Sequence, residues 1–493
     1  MDITKRQVME RCGRLLGLLI IISLCLANGG GGVALAAVSP KTTHRLKTLV
    51  THPSRVACGH AASGRARCLA TVSTSSITPS RAATPSTGAG YGPAELHTAY
   101  QLPCAPNGPV AGICAQPSSF GPETIAIVDA GNYSSGGGTL ESALQKYDTF
   151  YGLPACSSAN GCLQVVNQSG TSSPLPPNVS SGWSTEIALD VESAHMMCQT
   201  CKIVLVEAAD DFVNNLAAAE AIAAGFQPIA ISNSWGSDTD ATAFDDNFNY
   251  SGIAVVAATG DGGLATSGQS WPADIPAVVA AAGTTLQLNT DNTWAGETVW
   301  ANSGGGCSTA YPAPSWQSSR SDWASQGCGS TRSFGDIAGD ADPSTGAAIV
   351  IGSSWFIVGG TSLTTPLIAA MYALGDDLPA STSAVTLPYE HASAATLHDI
   401  ISGNNCLSGG QAHCSALSGF DTPSGLGSPK GVAAFQAHIP EDINQDTQVN
   451  LLDFSLLASK YGQSGNSLGR IDINHDGQVN LLDFSSLASK YGT

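Results

Sequence analysis

Charge is scarce in this chain. Only 12% of its 493 residues are Asp, Glu, Lys or Arg, against 43% hydrophobic. Disorder throughout needs the opposite balance, so a sizeable buried core is feasible. Positive charge is scarcer still past residue 90, where eight Lys/Arg face 36 Asp/Glu, about −28 at neutral pH. A body this acidic repels phosphate backbones, so nucleic-acid binding is not expected. It also repels itself near neutrality, and protonation relieves that, so an acidic working environment is expected. Long apolar runs are missing too. Outside the first 37 residues no stretch approaches the ~20 residues that span a bilayer, so no stable membrane insertion is expected.

The positive charge that exists lies at the start. Lys5, Arg6, Arg11 and Arg14 precede the apolar run LLGLLIIISLCLA, and Ala34-Leu35-Ala36 fits a cleavage site. Residues 1–37 therefore read as an export signal, and a secreted, extracellular protein is expected. Residues 38–90 hold Lys41, Arg45, Lys47, Arg55, Arg65, Arg67 and Arg81 and no acid. Rich in Ser, Thr and Ala, with little periodicity, they read as a basic pro-segment or linker rather than a packed domain. A basic strip before an acidic body can dock electrostatically and let go as carboxylates protonate.

Fourteen cysteines are present, two of them in the signal. The other twelve form close couples: 58/68, 104/114, 156/162, 198/201, 307/328 and 406/414. An even number in an exported chain points to disulfides, and neighbour pairing is the simplest of many connectivities. Cys198-x-x-Cys201 reads either as a redox or zinc pair or as a local disulfide. With no second CxxC and no paired His nearby, the disulfide is favoured.

Apolar strands alternate with helices through the body. Strands are expected at 124–129, 202–207, 228–232, 253–258, 277–281 and 355–358, and helices at 184–197 and 212–224. Such alternation predicts an α/β fold, a parallel sheet with helices on both faces. Active residues then belong at the C-terminal ends of strands.

Three stretches can carry chemistry. At 359–366, GGTSLTTP follows a strand and opens an apolar helix, so Ser362 stands on a turn that can present a hydroxyl to a carbonyl, or in an ordinary Gly/Ser/Thr turn. In GWSTEIALDVE, Glu186 and Asp190 lie four apart on one helix face. They are either a solvated face or, among apolar neighbours, a carboxylate pair whose pKa values separate, one keeping a proton while the other acts as base. Asp261 in ATGDGG ends a strand among glycines, as a turn residue or as a protonated acid that donates to an oxyanion. Asp129 in AIVDAG resembles the strand-end aspartate of subtilisins, but no His-Gly-Thr follows. His195 near Glu186 reads as structural, so a carboxylate base is more economical.

Together, E-x-x-x-D at Glu186 and Asp190, SNSWG at 232–236, TGDGG at 259–263 and GGTSLTTP at 359–366 resemble the sedolisins, the serine-carboxyl peptidases. ADPSTG at 341–346 and YGPAELHTAYQLP at 91–103 fit as well, and the resemblance spans 91–437. It implies a subtilisin-like sheet and a Ser-Glu-Asp triad. In it Ser362 is the nucleophile, Glu186 the general base and then acid, Asp190 the residue that orients Glu186, and Asp261 the oxyanion-hole acid. It also implies calcium bound by the Asp399 and Asp421 carboxylates with the backbone carbonyls of Ile400, Leu417 and Gly419. The family's large prodomain has no counterpart of similar length in 38–90.

The tail repeats itself. EDINQDTQVNLLDFSLLASKYG at 441–462 recurs as IDINHDGQVNLLDFSSLASKYG at 471–492, alike at 18 of 22 positions. Asp442, Asn444, Asp446, Gln448, Asn450 and Asp453 fall at positions 1, 3, 5, 7, 9 and 12 of an EF-hand-like loop. Asp472, Asn474, Asp476, Gln478, Asn480 and Asp483 do so in the second. Residues 440–493 thus read as a small all-α calcium-loop domain taking up to two Ca2+. It resembles a type I dockerin, which implies a cohesin-like scaffold partner, although Leu451-Leu452 and Leu481-Leu482 stand where dockerins often carry hydroxylated pairs. A calcium-stabilised tail without a partner is the alternative.

The expected function is a secreted, monomeric serine-type endopeptidase that hydrolyses peptide bonds in acid, with tripeptidyl cleavage left open. The alternative is a calcium-dependent docking or adhesion protein with an inert peptidase domain.

Overall fold

The computed structural model describes residues 45–47, 51–80, 89–102, 105–110, 113–115, 123–264, 270–375, 378–406, 413–437, 441–444, 448–465, 468–473 and 477–492. The export signal, and with it the site of its removal, lies outside them.

Three short strands come first: β1 (Ser54–Val56), β2 (Arg67–Cys68) and β3 (Thr71–Ser73). Helix α1 (Pro93–Ala99) opens the stretch YGPAELHTAYQLP. Then follow β4 (Thr124–Ala130), α2 (Leu140–Tyr151), β5 (Leu163–Asn167), α3 (Ser181–Met197), β6 (Lys202–Ala208), α4 (Val213–Gly225), β7 (Ala230–Asn233), β8 (Trp235–Gly236) and β9 (Ala254–Ala258). The body continues with β10 (Val279–Leu288), β11 (Trp294–Val299), β12 (Ile337–Asp340), β13 (Ala347–Ile351), β14 (Ser354–Gly359) and α5 (Thr361–Leu374).

The main sheet has eight strands, in the order β11-β10-β9-β7-β4-β6-β5, with β12 beside β10. Every pair in it is parallel except β10 with β11. Strand β4 shows why helices cover both faces. Ile125 and Ile127 point into one core with Ile187 and Leu189 of α3 and Leu363 and Leu367 of α5. Ala126, Val128 and Ala130 point into the other with Leu216 and Ala217 of α4. Alternation along a doubly covered strand leaves no polar face, which is why these strands read as continuous apolar runs. Each Leu or Ile so buried is worth about 1.5–3 kcal/mol.

The Ser/Thr/Ala-rich stretch read above as unpacked differs in the structure. β1 and β3 pair antiparallel, β3 pairs with β14, and β2 pairs with β8. Ala66, Cys68, Leu69, Ala70 and Val72 are buried. Strands of two or three residues carry no detectable period, and the partners of β2 and β3 in β8 and β14 lie some 160 to 290 positions away, so local pattern could not reveal them.

Five of the six expected disulfides form: Cys58–Cys68, Cys156–Cys162, Cys198–Cys201, Cys307–Cys328 and Cys406–Cys414. Cys198–Cys201 is thus a local bridge. The expected 104/114 pair includes a residue outside those described. No helix among the described residues is long and apolar enough to cross a membrane.

The tail holds two equal helices, α6 (Leu451–Lys460) and α7 (Leu481–Lys490). Their shared core is Ile443, Val449, Leu457, Leu468, Ile473, Val479 and Leu487, with Phe454 edge-on to Phe484 at 5.4 Å. Backbone bonds from Gly462 to Val479 and from Gly492 to Val449 tie each repeat to the other.

Candidate active site

Helix α3 starts where Ser180 caps it, its hydroxyl accepting from the Trp183 amide. From Gly182 onward every residue of α3 is buried, so Glu186 and Asp190 sit in the interior rather than on a solvated face. Helix α5 is buried throughout and places Ser362 in its first turn, directly after β14. Asp261 follows β9 and Ser234 follows β7, both at C-terminal strand ends. The structure therefore brings Ser362, Glu186, Asp190 and Asp261 to one end of the sheet.

The other hydroxyls of GGTSLTTP are committed to structure. Thr361 bonds Asp261, Thr364 bonds the Gly339 and Asp340 carbonyls, and Thr365 bonds the Thr361 carbonyl. Ser362 Oγ donates to the Ser234 carbonyl at 3.2 Å. The Glu186 carboxyl faces this hydroxyl, which draws its pKa down against a larger rise from burial and from the charges of Asp190 and Asp129. Neither Glu186 oxygen completes a hydrogen bond of ordinary geometry. Long catalytic contacts that tighten only around substrate are usual without a ligand.

Ser234 Oγ lies 2.8 Å from Asp190 Oδ1 and 3.3 Å from the Ser362 carbonyl. Burial raises the Asp190 pKa and the Ser234 hydroxyl opposes the rise. Asp129, at the end of β4, is fully buried and pairs in register with Glu207 of β6. Burial, then the charges of Asp190 and Glu207, raise its pKa. Glu207 is itself pushed up to about 8 by burial. Asp129 and Glu207 thus stand close to Glu186 and Asp190, two acids that the sequence reading did not place in the site. Acids crowded without cations must share protons, since like charges this near cannot all ionise. Glu207 ends its strand in register with Asp129; that shared strand end was the available signal. His195 contacts the Pro154 carbonyl at 2.9 Å and Asp148 at 3.3 Å, a structural setting.

Asp261 Oδ1 accepts from the Thr361 amide at 2.8 Å and hydroxyl at 3.0 Å, and Oδ2 from Thr71 Oγ1 at 3.2 Å. Burial pushes it up to about 7, against those bonds and the Arg67 charge. Between Asp261 and Ser362 lies Gly360, with φ +99°. A Cβ there would lie 2.5 Å from Asp261 Oδ2, so only glycine leaves room at this approach.

Comparison with known proteins follows this geometry. Kumamolisin of Bacillus sp. (strain MN-32) is 32% identical over 378 residues, covering 71% of this chain and 64% of its own. Xanthomonalisin of Xanthomonas sp. (strain T-22) is 39% identical over 185 residues, 32% of this chain and 21% of its own. The solved structure of Pseudomonas sedolisin, a serine-carboxyl proteinase complexed with pseudo-iodotyrostatin, matches with TM-score 0.56 and 26% identity, over 69% of this chain and 95% of that one. The chain is similar to the sedolisins over 71% of its length. It spans about 64% of the length of kumamolisin. The dockerin type I domain matches residues 440–490, so a dockerin follows the sedolisin-like body.

Sedolisins and dockerins generally bind calcium. In the sedolisin body, Asp399, Gly419 and Asp421 come together. Asp399 Oδ2 accepts from the Gly419 amide at 3.0 Å, and Asp421 Oδ2 from the Leu417 amide at 2.8 Å. Amides of Leu417 and Gly419, not their carbonyls, face the carboxylates here. Burial pushes Asp421 up to about 7, and the Asp399 charge adds to this. Two carboxylates that repel each other are a hard-oxygen donor set suited to calcium. Asp322, held by Arg320 and accepting from the Phe420 amide at 3.0 Å, lies alongside and was not singled out in the sequence.

In the dockerin, Asp442, Asp453, Asp472 and Asp483 are buried. Asp453 accepts from the Asn444 amide at 3.0 Å, so loop position 3 folds onto position 12. Asp472 accepts from the Gly477 amide at 2.8 Å, closing the second loop on position 1. Asp446, Asn474 and Asp476 lie outside the described residues. Buried carboxylates at both ends of each loop fit a calcium ion.

Proposed function

We propose that this chain is a secreted serine-type endopeptidase that works in acid through Ser362, Glu186 and Asp190. The observation that carries the reading is the burial of Glu186 and Asp190 on α3 beside Ser362, where the groups acting on Glu186 are Asp190, Asp129, Asp261 and the Ser362 hydroxyl. Ser362 Oγ attacks the peptide carbonyl while Glu186 takes its proton. Asp261, protonated, donates to the oxyanion. Glu186 then returns the proton to the leaving amine, and water hydrolyses the acyl-enzyme by the reverse route. Asp190 and Ser234 hold Glu186 and the Ser362 carbonyl in place. Calcium held by Asp399 and Asp421, with carbonyl oxygens of Ile400, Leu417 and Gly419, would fix the C-terminal loops of the body.

The dockerin tail docks the enzyme to a cohesin-like partner. Leu451, Leu452, Leu481 and Leu482 are each about 60% exposed, at equivalent places on α6 and α7. Equivalent apolar pairs on the two repeats suit an apolar partner surface. Digestion of a mixed peptide library across acid and neutral pH, read by mass spectrometry, tests the peptidase reading. Ser362→Ala should leave the library intact, and full cleavage by that variant would refute it.

A further inference from the structure

The last turn of α3 carries His195, which is fully buried. Its Nε2 lies 2.9 Å from the Pro154 carbonyl and 3.3 Å from Asp148 Oδ1. A carbonyl only accepts, so Nε2 carries the hydrogen and the lone pair of the neutral ring sits on Nδ1. Nδ1 is buried and has no hydrogen-bond partner. Leaving a buried acceptor bare costs stability unless a donor or a metal ion meets it.

Two sulfurs stand beside this ring. Cys156 Sγ, Cys162 Sγ and a ring nitrogen of His195 all lie within 4.8 Å of one another. Both cysteines belong to the loop that joins α2 to β5. Asp148 of α2 ties down one end, its Oδ2 accepting from the Cys156 amide at 2.9 Å. Asn160 Oδ1 accepts from the Ser157 and Cys162 amides, each at 3.1 Å. At the other end the Cys162 carbonyl accepts from the Ile203 amide of β6 at 2.7 Å. None of these bonds needs the Cys156–Cys162 bridge, so the sulfurs stay near His195 when it is open.

Two thiolates and an imidazole are the donors that zinc takes in preference to calcium or magnesium. Zn–S bonds of about 2.3 Å at tetrahedral angles put the sulfurs about 3.8 Å apart, inside the span of this cluster. Metal-bound histidines donate their other N–H to a carbonyl or carboxylate, which fixes the tautomer. Pro154 and Asp148 supply that contact here. The C-terminal end of α3 adds the negative end of a helix dipole, which favours a cation. Cys162 is only partly buried, so water completes the fourth position.

We propose that Cys156, Cys162 and His195 form a redox-gated zinc site, filled when their disulfide is reduced and emptied when it closes. Two small thiol molecules open the bridge. The Cys156–Cys162 bond breaks, both sulfurs gain hydrogen, and the two reagent sulfurs join as a disulfide. Zn2+ then displaces the two thiol protons and bonds both thiolates and the bare nitrogen of His195. A small disulfide reverses the exchange, re-forming the bridge and releasing Zn2+. Cell interiors are reducing and their surroundings oxidising, so on the export reading zinc shapes this loop first and the disulfide replaces it outside. Either closure pins the loop against the helix that bears Glu186 and Asp190.

The test uses the full chain at about pH 7.5, where thiolates form readily, after reduction with a water-soluble phosphine that is then removed without air. Co2+ is the first probe. Reduced wild type should show the thiolate-to-cobalt absorption of a tetrahedral site, and added Zn2+ should abolish it. Alkylation with and without Zn2+, mapped by mass spectrometry, reads each cysteine by itself. Zn2+ should slow modification of Cys156 and Cys162 about tenfold or more, and Ca2+ should not. His195→Gln keeps an N–H for the Pro154 carbonyl but lacks the ring nitrogen, and should lose the protection. Asp148→Asn should weaken Co2+ binding by about 10–100-fold. Circular dichroism of each oxidised variant checks folding, and should His195→Gln fail it, the wild-type alkylation map decides. Reduced wild type in which Zn2+ protects neither cysteine, or protects Cys198 and Cys201 instead, overturns the proposal. So does folded His195→Gln protected as wild type is.

Discussion

Pro366 explains a contact that helix geometry alone would forbid. It lacks the amide that would bond the Ser362 carbonyl four residues back, which leaves that carbonyl for Ser234 Oγ at 3.3 Å. The same hydroxyl reaches Asp190, so one serine couples the Ser362 backbone to the acid pair. Replacing Ser362, Glu186 or Asp190 with Ala should each lower kcat by about 10⁴-fold or more in correctly folded protein, measured on a peptide substrate. Asp261→Asn should cost about 10²–10³-fold in kcat, the loss expected when one oxyanion donor is weakened. The three acids named from sequence, Glu186, Asp190 and Asp261, come together with Ser362, because each sits in a motif of fixed spacing. Asp129 was set aside for want of a partner histidine, and Glu207 was not noticed. Each stands near the end of an apolar strand, but that β4 and β6 pair in register is encoded by no local pattern.

Elements were legible where period and length agreed. The helix expected at 184–197 forms as Ser181–Met197, extended by the Ser180 cap. The strand expected at 277–281 runs on as Val279–Leu288, because its second half pairs with β11 and β12 rather than ending at a turn. The hairpin of residues 54–73 was illegible, since its strands are too short to show a period and two of them pair with distant β8 and β14. In the tail, Asn480 caps α7 and Asp483 bonds back to it at 2.7 Å. Asn480→Ala should cost about 1 kcal/mol of tail stability in chemical denaturation. Calcium removal by a chelator should cost more, because buried Asp442, Asp453, Asp472 and Asp483 would repel one another without a cation. Loss of tail helix signal on chelation, restored by calcium, is the expected result.

Over the whole molecule, buried acids tie stability to pH. Burial pushes Glu220 up to about 8, as it does Glu207 and Asp274, the last helped by the Asp240 charge. Each binds its proton more tightly folded than unfolded, so between about pH 4 and 8 the folded chain holds more protons. Stability is therefore present in acid and lost as pH rises through about 8. Tm should fall by several degrees from about pH 5 to 8, read by calorimetry, and a rise would contradict the sign. The acidic composition already pointed this way; which acids are responsible required the fold.

The most direct test of glutamate-driven catalysis is the pH profile of kcat/KM for the matured protein and for Asp261→Asn, between about pH 3 and 8. Asp261 donates only while protonated, so activity should be greatest in acid and fall through about pH 7, with that descent altered in Asp261→Asn. Activity that instead climbs through pH 7 to a neutral or alkaline plateau, as a histidine base would produce, would contradict it.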